Sequence, residues 1–173
     1  MAECLAIDDR RCRKLRISIH PAAEYRKVLT ILNSLVLPGF IPNPENVKFA
    51  VLELINNSLR AHREKRVSER IQALFRLADG ELLVSIRDFG GGFDPRRLPY
   101  RLDDDLAGID QNSRAFQEYQ HKNNYQRFGM GLLVARRVFP RFSLHFLGPA
   151  GQRVRWGEDP VTGTLITLSI GGA

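Results

Sequence analysis

The segment RIQALFRLADGELLVSIRDF constrains the fold more than any other part of the sequence. Two apolar, branched-residue runs flank Asp79-Gly80, a two-residue turn signal that joins antiparallel strands. The chain therefore holds a hairpin. Its second strand ends on Asp88, and a glycine cluster, Gly90-Gly91-Gly92, comes directly afterwards.

Around this hairpin the elements are simple to place. KLRISIH (residues 14–20) alternates as a half-buried strand does, and Pro21 then opens a helical stretch carrying Val28, Ile31, Leu32 and Leu35. PGFIPNP breaks it. Asn43, Pro44 and Glu45 supply a cap, a first-turn proline and an acid near the positive end, so a second helix is expected over residues 44–65. Residues 94–127 are polar and weakly periodic, with a short helix expected within 106–120. A connection of that length in a small domain is usually a lid, a binding loop or disorder. GMGLLVARRVF then starts a helix on glycine, and RFSLHFL, QRVRWGE and GTLITLSI read as strands. The expected architecture is an α/β two-layer sandwich. It has a mixed, mostly antiparallel sheet of about six strands, with helices on one face.

Three stretches carry chemistry. VLELINNSLRAH (residues 51–62) places Glu53 and Asn57 one turn apart on one helical face. An amide oxygen there can ligate Mg²⁺, and a carboxylate can orient or deprotonate a hydroxyl. The plain alternative is two solvated side chains on a polar face. VSIRDFGGGFDP ends a strand on an aspartate that can accept from an exocyclic amine, before glycines that let the backbone approach a ligand. Alone it is an ordinary glycine turn. RFGMGLLVARRVF leads into a helix whose free N–H groups form an anion site. No G-K-[ST] occurs, so phosphate binding would fall to backbone amides, Mg²⁺ and Arg127.

With 173 residues, one domain over 1–173 is expected, with residues 1–13 as a polar leader. No apolar run approaches the roughly 18 to 20 residues of a membrane span, and the N-terminus lacks the apolar core of a secretory signal. With only Cys4 and Cys12 present, a cytoplasmic setting is expected, and a disulfide between them stays open. The net charge of +7 is spread over scattered arginines without aromatic interleaving. That pattern fits a solvated basic surface, an acidic protein partner or an anionic ligand better than nucleic acid.

Taken in order, these motifs resemble the Bergerat-fold (GHKL) ATPase and kinase superfamily, over roughly residues 15–170. ELINNSLRAH looks like its N box, DFGGGFD and GMGLL like its two glycine boxes, and Gly163-Thr164 like its last Thr-containing strand. The resemblance implies ATP and Mg²⁺ as cofactors. It implies Asn57 as the metal ligand, Asp88 for the adenine amino group with Thr164 in support, and Gly90 and Gly92 as the nucleotide floor. Gly129 and Gly131 would allow the lid to close on the phosphates, with Leu132 after them also binding the cofactor, Arg60 and Arg127 would be basic neighbours of the phosphates, and residues 94–127 would form the ATP lid. Glu53 would be catalytic. Its glutamate, and the absence of large flanking domains, are most similar to stand-alone anti-sigma-factor serine kinases. That branch implies phosphorylation of an anti-anti-sigma-like or other regulatory protein, and a homodimer is compatible with it. A histidine-kinase-like domain acting on a separate phosphoacceptor and a non-catalytic nucleotide-dependent binding module are the alternatives. The chain departs from the branch in having Ala61, with His62 one residue later, and in its long lid and its enlarged C-terminal hairpin.

Overall fold

The computed structural model describes residues 4–122 and 130–171. Its centre is the expected hairpin, β4 (Ile71–Ala78) and β5 (Glu81–Asp88). Asp79 and Gly80 both take positive φ, 51° and 75°, the left-handed pair that a tight two-residue turn needs. The hairpin extends in both directions. β3 (Lys14–Ile19) pairs with β4, β8 (Gly163–Gly171) with β5, β6 (Arg141–Leu147) with β8, and β7 (Arg153–Val154) with β6. All the pairings are antiparallel.

Strand periodicity gives this sheet two unlike faces. The inner face carries Ile71, Ala73, Phe75, Leu77, Leu82, Val84, Ile86, Ile166 and Leu168, all buried. The outer face carries cations: in register, Lys14 lies beside Arg76, and Gln72 beside Arg87. The helices cover the inner face. α2 (Pro44–Lys65) lies over β4 and β5, α1 (Tyr25–Ser34) packs on α2, and α4 (Met130–Val138) packs on α2 and β6. The two-layer sandwich is therefore as expected.

Four details differ from the sequence reading. Asn43 makes no side-chain cap hydrogen bond, so the start of α2 rests on Pro44 and Glu45, and its end is set by Arg66 at φ 55°. Residues 5–12 form a hairpin, β1 (Leu5–Ile7) with β2 (Arg10–Cys12), rather than a polar leader. Leu5 is fully buried, and Ala6 bridges to Val36, which anchors the hairpin to the loop after α1. Both thiols are free. The strand expected in QRVRWGE shrinks to the two residues of β7, and Trp156 beyond it packs on Phe146 of β6.

Residues 94–122 are the fourth. They contain 3-10 turns at Pro95–Arg97 and Leu106–Gly108 and a helix, α3 (Arg114–Lys122), which starts later than the periodicity indicated. Phe116 is 0% exposed and stacks on Tyr100 at 6.1 Å, with Leu133 of α4 closing a second small core. Arg136 of α4 donates to the Asp104 carbonyl, a second tie between this segment and the helix.

Candidate functional site

The site begins at the end of β5. Alternation along Leu82, Val84 and Ile86 carries Asp88 onto the inner, apolar face, where it is 6% exposed. A carboxylate taken out of water needs donors. Three are built around it: Ser58 Oγ of α2 donates to Oδ2 at 3.0 Å, Thr164 Oγ1 of β8 to Oδ2 at 2.6 Å, and Gly90 N–H to Oδ1 at 2.9 Å. Two carboxylate oxygens offer about four acceptor positions, so one at Oδ1 is left for a ligand. Thr164 is where it must be because β5 and β8 pair Asp88 with Thr164 in register.

The helix and the glycine segment close on each other tightly. A Cβ added at Gly90 would lie 2.5 Å from the Ala61 Cβ, so only glycine lets the segment reach α2 here. This accounts for alanine at position 61. The next residue, His62, points inward, is 0% exposed, and accepts the Phe89 N–H on Nε2 at 2.8 Å. Its Nδ1 has no partner among the described residues. Gly91 N–H donates to the Thr162 carbonyl at 3.0 Å, which ties the segment to the approach to β8.

These elements enclose a cavity of about 1110 Å³ between α2, the glycine segment, α3 and the inner ends of β5 and β8. One side of α2 faces it with Leu54, Asn57, Ser58 and Ala61, spaced three and four apart as one helical face requires. Asp88, Gly90, Gly92, Leu132 and Thr164 are also in its wall, so most of the residues singled out in the sequence converge there.

Asn57 sits at the corner between the cavity and the start of α4. A Cβ at Gly131 would lie 2.8 Å from Asn57 Nδ2 and 3.3 Å from the Glu53 Cβ, so Glu53 and Asn57 flank this glycine side by side, one turn apart. Glu53 itself is half-buried and is not in the cavity wall. Arg60 is also outside the wall; its charge acts on Tyr119. Arg127 and Gly129 lie outside the described residues.

Sequence reasoning missed several wall residues. Ser58 and Ala61 were within reach of a helical-face argument. Lys65, Arg96, Arg97 and Lys122 bring positive charge to the cavity, with Arg96 held to Asp94 at 2.9 Å. That guanidinium holds the Asp94 carboxyl below the usual carboxylate range. Burial pushes the Tyr119 phenol up to about 12, so it borders the cavity as a neutral hydroxyl.

A model of the histidine kinase-like ATPase domain matches residues 22–156. The chain belongs to that family. No curated protein matches it. As a histidine kinase-like ATPase domain it binds ATP. The matched span takes in α2, the hairpin, the glycine segment and α4, and it stops before β8, which brings Thr164 to Asp88. Among the described residues no helix is long and apolar enough to cross a membrane.

The Asn57 amide makes no hydrogen bond among the described residues and borders the cavity, as a ligand of a hard cation would. No cluster of three or more His, Cys, Asp or Glu among the described residues could hold a metal by itself. The Asn57 amide oxygen is a donor of the kind that Mg²⁺ takes, a cation whose shell is otherwise completed largely by phosphates and water.

Proposed function

We propose that the cavity is the Mg-ATP site and that the domain transfers the γ-phosphoryl group to a serine or threonine of a regulatory protein partner. The observation that carries the nucleotide reading is Asp88, a buried carboxylate held by three donors with one acceptor position left over. That position suits the exocyclic amine of adenine. Thr164 and Ser58 keep the carboxylate oriented when the site is empty, so little reorganisation is needed on binding.

At the other end, Asn57 and the N-terminus of α4 form the polar corner where phosphates would lie. Asn57 would hold Mg²⁺, which when bound neutralises charge on the phosphates. The α4 N-terminus would offer N–H groups and the positive end of its dipole, while Lys122 of α3 and Lys65, which lies against Gly91 near the Asp88 end, add cationic charge to the cavity. Phosphoryl transfer asks mainly for positioning and charge stabilisation, which is what these groups offer. Glu53, beside Asn57, would orient or deprotonate the attacking hydroxyl. Residues 94–122 would act as the lid, since Tyr119 and Lys122 of α3 already border the cavity. The outer sheet face, with Lys14, Arg16, Arg76 and Arg87, suits an acidic partner.

One observation favours a second reading, a nucleotide-gated binding module without transfer: Glu53 stands outside the cavity wall. The test is incubation with labelled Mg-ATP and candidate partners, followed by phosphosite mass spectrometry. Stable phosphoserine or phosphothreonine on one protein supports the proposal. Acid-labile phosphohistidine points to action on a separate phosphoacceptor domain. ATP-dependent capture without transfer points to the binding module.

A further inference from the structure

We infer that Trp156 is a nucleobase-binding residue, an aromatic wall supplied by the C-terminal hairpin rather than by any of the glycine or N-box motifs. The inference rests on the reading of the cavity as a nucleotide site and deepens it. On the inner face of the sheet, Asp88, Thr164 and Phe146 form one row, because β5 pairs Asp88 with Thr164 and β6 pairs Phe146 with Thr164. The strand pairing puts Val154 next to Phe146, and Trp156, two residues further on, packs its ring on the same Phe146: their centroids are 5.3 Å apart, and Phe146 in turn meets Phe93 edge-on at 5.6 Å. The carboxylate that suits an amine and the indole therefore stand at the same end of the cavity, two side chains apart, and both border it.

The indole is held in place. The hairpin is tied to the sheet by Thr162 N–H donating to the Leu147 carbonyl at 2.8 Å, and to the glycine segment by Gly91 N–H donating to Thr162 at 3.0 Å. Gly92, at φ 68°, lies so close that an added Cβ would be 3.2 Å from the indole and 2.8 Å from Val161. Packing alone does not account for the residue. Phe93 and Phe146 already fill the corner behind it, and Trp156 remains half-exposed with one side on the cavity. A rigid aromatic surface beside a lone hydrogen-bond acceptor is the combination that a purine uses, with stacking or edge contact for affinity and the acceptor for identity.

Trp156 is the only tryptophan in the chain, so its emission reports directly on the site. The experiment pairs calorimetry with tryptophan fluorescence on the full chain, using Mg-ATP and, separately, inorganic triphosphate with Mg²⁺. Mg-ATP should change the emission with a midpoint equal to the calorimetric Kd, and triphosphate should leave it unmoved. W156A should weaken ATP by about fivefold to a hundredfold, the range of a lost base–aromatic contact, and W156F should restore most of the affinity. Wild-type affinity with unchanged emission and a wild-type Kd in W156A would overturn the inference while leaving the ATP site standing. An equal response to triphosphate would overturn it as well, because Trp156 would then report phosphate binding rather than base contact. No affinity for ATP in the wild type would overturn both readings.

Discussion

Among single residues, the contrast between Glu53 and Asn57 is the most informative. They share one side of α2 and flank the same glycine, yet only Asn57 borders the cavity. Asn57→Ala should therefore weaken Mg-ATP binding and phosphoryl transfer together. Glu53→Ala should leave the calorimetric Kd unchanged and slow transfer by about 10²- to 10⁴-fold if it acts as a base, or less if the transition state is loose. Unchanged transfer with retained affinity would remove the catalytic role and favour the binding module. Local period placed Asn57 on a helical face and Asp88 at a strand end, and the order of the motifs, through the family resemblance, pointed to their roles and to Thr164. Ser58 and His62 were not read as site residues, because their partners, Asp88 and Phe89, are 30 and 27 residues away and only the closed sheet brings them together.

The elements that shape the site do so through close approach. The start of α4 is pressed against α2 at Gly131, so Gly131→Ala must displace the Asn57 side chain. The variant should fold, because the obstructing atom is a flexible side-chain end, and lose about tenfold in Mg-ATP affinity, the order of one good polar contact. Circular dichroism and calorimetry measure the two parts, and an unchanged Kd would sever α4 from the phosphate end. The segment 94–122 is a separate case. Its polar, weakly periodic sequence hid a second core, because Tyr100, Phe116 and Leu133 come from three separate stretches. Truncating a buried phenylalanine typically costs about 3–5 kcal/mol. Phe116→Ala should therefore abolish hydrogen-exchange protection in 98–122, while β4, β5 and β8 keep theirs. Loss spread equally over the sheet would show that the segment is not a unit of its own. In the wild type, a non-hydrolysable ATP analogue should increase protection of α3, as a nucleotide-dependent lid requires.

For the molecule as a whole, sheet, helices and glycine segment converge on one cavity, and a ligand bound there should stabilise all of them together. At a nucleotide concentration 100 times Kd the gain is about 2.7 kcal/mol, which for a chain of this size corresponds to a rise of roughly 5–10 °C in Tm. The sandwich, its hairpin centre and its helix layer followed from period and turn chemistry. The N-terminal hairpin and the packing of Trp156 on Phe146 did not, because the hairpin's bridge to Val36 and that ring contact join residues distant in sequence. The central claim is that ATP binds at the end of β5 through Asp88. Isothermal titration of Mg-ATP into the wild type and Asp88→Asn tests it most directly. One site per chain in the wild type, with affinity reduced about tenfold or more in the variant while its circular dichroism is unchanged, is the expected result; equal affinity in the two proteins, or none in the wild type, would contradict it.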